Sequence, residues 1–69
     1  MHFSERLRSL RKEQKETQVQ VADAIHLTER QYQRFEAGES LPSFENLWGL
    51  ADHFAVSMDY LAGRSDRRE

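Results

Sequence analysis

Apolar residues recur at helical intervals along most of the chain. Phe3, Leu7 and Leu10 stand four and three apart within FSERLRSLRKEQ, with charged residues between them, which predicts an amphipathic helix over residues 3–14. Val21, Ala22 and Ile25 make a second, shorter set, and Tyr32 with Phe35 a third, each on one face of a helix. Phe44, Leu47, Leu50, Ala51 and Phe54 give a fuller stripe, with Trp48 on its edge. A last short helix is expected from Met58 to Ala62. No strand-like alternation of useful length, internal repeat or glycine-rich phosphate loop interrupts this pattern, so the fold class is all-α with five helices.

Polar residues at the ends of these segments say where each helix starts and stops. Thr17 stands three residues before Gln20, and Thr28 three before Gln31, so the reciprocal Thr-x-x-Gln cap occurs twice and places helix starts near residues 18 and 29. Between Ile25 and Thr28 only His26 and Leu27 remain to turn the chain, the length of a helix-turn-helix joint. Its sharpest residue needs positive φ, and His26 is the expected occupant, because His tolerates that region better than most side chains. Gly38 is expected to end the third helix in a left-handed cap, and Pro42 to block its continuation. Ser43 and Ser57 are the predicted N-caps of the fourth and fifth helices, and Gly63 the stop of the last. Residues 1–64 then form one domain, and 65–69 a flexible charged tail.

The stretch TQVQVADAIHLTERQYQRFEAG resembles the helix-turn-helix of phage-repressor regulators of the Cro/Xre type. The likeness rests on Thr17-Gln18, Val21-Ala22, Ile25, Leu27-Thr28, Tyr32, Arg34-Phe35-Glu36 and Gly38. It continues through Pro42-Ser43, Leu47, Leu50-Ala51, Phe54, Val56-Ser57, Asp59-Tyr60-Leu61 and Gly63-Arg64. Departures are Lys15 and Glu16 where Gly-Leu is usual, His26 where Gly is usual, and Tyr32 where a β-branched residue is common. Glu16 removes one expected core contact. The resemblance implies a five-helix, lambda-repressor-like DNA-binding domain whose third helix enters the major groove.

Thr17 and Gln18, with Thr28, Glu29, Arg30, Gln31, Gln33 and Arg34, form the candidate DNA surface, since Tyr32 and Phe35 face inward. By resemblance, Gln18 holds a phosphate while Glu29, Arg30 and Arg34 read bases. The chemistry is apt: Arg chelates guanine, Glu accepts from cytosine N4 and Gln pairs with adenine. The resemblance also implies an ion pair, Arg11 with Glu36, tying the first helix to the end of the third.

Net charge is −2, against the basic footprint usual for nucleic-acid binding. Distribution changes that picture. Residues 1–15 carry Arg6, Arg8, Arg11, Lys12 and Lys15 against Glu5 and Glu13, whereas residues 35–59 carry Glu36, Glu39, Glu45, Asp52 and Asp59 and no Lys or Arg. A basic end and an acidic end are expected. With 69 residues the chain buries about 60% of its unfolded surface, so stability should be modest. Absence of cysteine excludes disulfides and thiolate metal sites and fits a reducing cytoplasm, where a DNA-bound regulator would be nucleoid-associated. No run is long enough to span a membrane. His2, His26 and His53 are too far apart for a compact zinc site, and no serine or carboxylate pair has a catalytic setting. Neither cofactor, metal nor enzyme activity is expected.

The reading is a sequence-specific transcription regulator, a repressor, bound to duplex DNA at a palindromic operator as a homodimer. Two half-sites lie about 34 Å apart in such complexes. Met58 and Tyr60 are the expected dimer contacts, with Trp48 able to extend their apolar patch. The alternative is a helical protein-interaction module, antitoxin-like or adaptor, that binds a partner through the fourth and fifth helices.

Overall fold

The computed structural model describes residues 2–68. Five helices follow in order: α1 (Phe3–Glu13), α2 (Gln18–Ala24), α3 (Glu29–Glu36), α4 (Phe44–Phe54) and α5 (Met58–Ala62). No strand occurs among the described residues.

Both Thr-x-x-Gln boxes are formed. Gln20 N donates to Thr17 Oγ1 at 3.1 Å while Thr17 N donates to Gln20 Oε1 at 2.8 Å. Thr28 and Gln31 repeat the exchange at 3.1 and 3.0 Å. Caps of this kind contribute about 1 kcal/mol each, which matters for helices of seven and eight residues that could not persist alone. Ser43 and Ser57 cap α4 and α5 by accepting from Asn46 N and Tyr60 N.

The turns explain two departures from the family pattern. His26 has φ 61° and Lys15 φ 59°, so both occupy left-handed positions where glycine is the unstrained choice. Ala55 does the same after α4 with φ 57°, a feature without a signal in the sequence. Glu16, expected to remove one core contact, turns its carboxylate to His53 Nε2 at 2.9 and 3.1 Å, so a polar contact joins the α1–α2 connection to α4.

The core gathers Phe3, Leu7, Leu10, Val21, Ala22, Tyr32, Phe35, Leu50, Ala51, Phe54 and Leu61. Tyr32 is the largest of the fully enclosed side chains, and Phe3 meets Phe35 edge-on with ring centroids 6.2 Å apart. Phe44 departs from expectation: it is 63% exposed rather than part of the buried stripe. Standing first in α4, it points off the end of the core and packs edge-on against Trp48, itself 59% exposed.

Residues 65–68, expected as a flexible tail, are placed against α1 and α5; Glu69 lies outside the described residues. Arg6, only 6% exposed, donates to the carbonyls of Tyr60 at 2.8 Å and Ser65 at 2.6 Å, and lies 3.5 Å from Asp66. Arg68 forms a two-pronged pair with Glu13 at 2.7 and 2.9 Å, and its carbonyl accepts from Ser57 N. That pair holds the exposed Glu13 carboxyl below the usual range.

Candidate nucleic-acid interface

The two-residue joint sets α3 across α2 with one face committed to the core. Tyr32, Phe35 and Glu36 are buried, while Glu29, Arg30, Gln31, Gln33 and Arg34 are exposed. Arg30 and Arg34 stand four apart, one above the other along the helix. With Gln33, Ala37 and Glu39 they line an open hollow of about 430 Å³. Gln33 Nε2 donates to Glu29 Oε2 at 3.3 Å, so these two side chains share an adjoining row.

Not every residue of the expected surface is equally free. Thr17, Thr28 and Gln31 are exposed but engaged in the caps, leaving the Gln31 amide NH2 group as its available donor. Gln18 is half-buried, and its Nε2 donates to Glu36 Oε1 at 3.2 Å.

Glu36 is the centre of the polar interior. It is 4% exposed and receives Arg11 in a two-pronged contact, Nε to Oε2 at 2.6 Å and Nη2 to Oε1 at 3.0 Å. The Tyr32 hydroxyl donates to the same Oε2, and Arg8 donates to the Glu36 backbone carbonyl at 2.9 Å. Arg11 also donates to the Glu16 carbonyl at 3.0 Å, so one guanidinium joins α1, the α1–α2 turn and α3. Burial by itself would raise the Glu36 carboxyl, but hydrogen bonds from Arg11, Tyr32 and Gln18 outweigh it and hold it below the usual carboxylate range. Burial first, then the bond to Glu36, pushes the Tyr32 hydroxyl far up, so it remains a donor throughout the ordinary pH range. The Arg11 guanidinium is held charged chiefly by its bond to Glu36.

Sequence reasoning missed three members of this arrangement. The Tyr32 hydroxyl was legible as an i, i+4 partner of Glu36 on one helix face. Arg6 had no such signal, because its partners are backbone carbonyls far along the chain. Glu39, beside Arg34 at 3.9 Å, is fixed by the closure of α3 rather than by any pattern of its own. Internal pairing also thins the expected basic end: Arg6 is buried and Arg11 partly so, leaving Arg8, Lys12 and Lys15 exposed.

Met58 and Trp48 line a common cleft with Ala51, Asp52 and Val56. Tyr60 is not with them. Its ring lies under the Arg6 guanidinium, 4.0 Å from centroid, with Arg68 at 5.4 Å. Among the described residues there is no cluster of three metal-ligating side chains and no helix long and apolar enough to cross a membrane.

A capped helix pair joined by two residues, with a polar row on the second helix and a buried ion pair bracing it, defines a helix-turn-helix protein. The chain belongs to the helix-turn-helix family, whose profile matches residues 7–61. It is 44% identical over 64 residues to the cryptic phage CTXphi transcriptional repressor RstR of Vibrio cholerae, covering 93% of this chain and 57% of that protein. It is 37% identical over 59 residues to the uncharacterized HTH-type transcriptional regulator YqaE of Bacillus subtilis, covering 86% and 51%. It is also 31% identical over 61 residues to the HTH-type transcriptional activator BcrR of Enterococcus faecalis, covering 88% and 30%. The chain thus spans about half the length, or less, of these relatives. No solved structure matches it significantly.

Proposed function

We propose that this protein is a sequence-specific DNA-binding transcriptional regulator, a repressor, whose α3 reads the major groove. The observation that carries the reading is the exposed row Glu29, Arg30, Gln33 and Arg34 on a helix fixed by a double cap, a two-residue joint and a buried ion pair. A repressor is preferred to an activator because the likeness to RstR is greater than that to BcrR. Gln18 is assigned to a phosphate, and the two arginines to bases.

The test is a selection of bound duplexes from a random pool, repeated for Arg30→Ala, Arg34→Ala and Gln18→Ala. Loss of either arginine should cost about 1–3 kcal/mol at one base pair and relax the preference there, with other positions little changed. Gln18→Ala should weaken binding to all sequences nearly alike, because phosphate contacts carry no sequence information. Arginine variants with the wild-type profile at every position would remove α3 as the reading helix.

Dimerisation on a palindromic operator is part of this proposal. Its contact is assigned to the Met58 end of α5 together with Trp48, Tyr60 being covered by Arg6 and Arg68. Sedimentation on a two-half-site duplex should show two chains bound, and Trp48→Ser should shift the stoichiometry toward one. Monomers alone, free and on such a duplex, would sink the dimer while leaving the DNA reading intact.

The second reading, an adaptor that binds a partner protein, is favoured by exposed Leu41, Phe44 and Trp48 on a chain of net charge −2. Retention on random duplex at low salt, fading steeply as salt rises, supports the DNA reading; no retention supports the adaptor.

A further inference from the structure

Glu39 places a carboxylate beside the reading row, where negative charge opposes phosphate. Its backbone is fixed, while its side chain is 65% exposed. α3 closes with Gly38 at φ 76°, Gly38 N donating to Phe35 O at 3.2 Å and Glu39 N to Arg34 O at 2.9 Å. These two bonds are those of a Schellman closure. The backbone of Glu39 is therefore bonded to the residue that its side chain faces, and Glu39 Oε1 lies 3.9 Å from Arg34 Nε.

A guanidinium offers donors along more than one edge, and a guanine needs only one of them, two parallel N–H groups aimed at O6 and N7. On an open helix face the arginine stem turns freely, and that freedom is lost on binding. A carboxylate on the Nε side biases the stem without occupying the paired terminal N–H groups, and Arg34 lines the same hollow as Arg30 and Gln33.

We propose that Glu39 is a positioning residue for base readout, holding Arg34 by its Nε side so that the terminal nitrogens are presented to a guanine. The inference rests on the proposed DNA reading. Charge and positioning act in opposite directions here. Removing a carboxylate from a DNA-facing surface favours every duplex alike, whereas losing the restraint on Arg34 lowers the preference for one base.

The experiment compares wild type, Glu39→Ala, Glu39→Gln, Arg34→Ala and the double variant Arg34→Ala/Glu39→Ala. Probes are the duplex selected by wild type, the same duplex with the Arg34-dependent G·C pair changed to A·T, and a random duplex. Each variant keeps the backbone N–H that closes α3, and thermal melts verify that the fold persists. Glu39→Ala is expected to bind random duplex more tightly, while its guanine preference at that pair falls about two- to fivefold, the span of an exposed ion pair. Glu39→Gln, which keeps an acceptor oxygen, should retain more of the preference while sharing the tighter random binding. In the Arg34→Ala background, Glu39→Ala should leave preference at that pair unchanged. A common tightening on all duplexes with guanine preference intact would make Glu39 a repulsive charge only and overturn the positioning role, with the DNA reading standing. An Arg34→Ala profile equal to wild type overturns it as well. A wild-type protein that retains no duplex at low salt overturns the DNA reading and this role together.

Discussion

Phe35→Ala is expected to lower stability by about 3–5 kcal/mol, the range for truncating a buried phenylalanine. Phe35 is 6% exposed, meets Phe3 edge-on and belongs to the one core cluster that joins α1, α3 and α4. Its truncation leaves a cavity in a cluster that also holds the fully enclosed Leu7, Tyr32 and Leu50. A domain of this length has a total stability of roughly 3–10 kcal/mol, so the variant stands near the edge of unfolding. Circular dichroism should show a melting temperature lower by roughly 12 °C or more, or no cooperative transition. A melt within a few degrees of wild type would mean that Phe35 does not carry the packing assigned to it.

That residue was readable from the sequence, and so was most of the fold, because the information is local. Helix phase follows from three- and four-residue spacing, and the starts of α2 to α5 follow from Thr17, Thr28, Ser43 and Ser57, whose side chains bond within three residues. Even the left-handed turn at His26 was legible, because the joint is too short for any other course. What escaped is non-local. By pattern Glu16 is only a lost apolar contact, because nothing near it announces His53, 37 residues on. Arg6 counted toward a basic surface, but it is drawn inside by carbonyls more than fifty residues away. Phe44 fits the α4 stripe by spacing alone, and only the end of the core leaves it outside. At the interface the candidates were identifiable as residue types on an exposed face. Which side chains are already engaged, as Gln31 and Gln18 are, depends on caps and on Glu36.

Removing one partner of the Arg11–Glu36 pair is expected to cost about 3–5 kcal/mol, since it leaves the other charge enclosed without its counterpart. Arg11 keeps 14% of its side-chain exposure and Glu36 4%, so water replaces the lost partner poorly. Glu36→Ala also strips the Tyr32 hydroxyl and the Gln18 amide of their acceptor. In a double-mutant cycle with Arg11→Met and Glu36→Leu, the double variant should lose much less than the two singles together, with coupling clearly above the ~0.5 kcal/mol of independent sites. Additive losses would dissolve the pair as an energetic unit and return Arg11 to the possible phosphate contacts. The same carboxylate predicts acid sensitivity. Its folded-state pKa is depressed, so its contribution is present above the ordinary glutamate range and is lost as pH falls through the lower folded value. Wild type should therefore lose stability below about pH 4, while the neutral Arg11→Met/Glu36→Leu variant loses less over the same interval.

The hydroxyl that Tyr32 lends to Glu36 also constrains the routes by which this sequence can change. A β-branched residue at position 32 would remove a donor from a carboxylate that accepts from three side chains, and would open space in the core at the same step. Reversing the order, with Glu36 replaced first, strands Arg11 and the tyrosine hydroxyl together. Positions 11, 32 and 36 therefore form an epistatic set: each acceptable exchange at one depends on which residues already occupy the other two. Exposed Arg30, Gln33 and Arg34 interleave with that set on the same helix but are free of it. On the proposed reading, base preference can drift one substitution at a time, on a helix whose inward face changes only in concert.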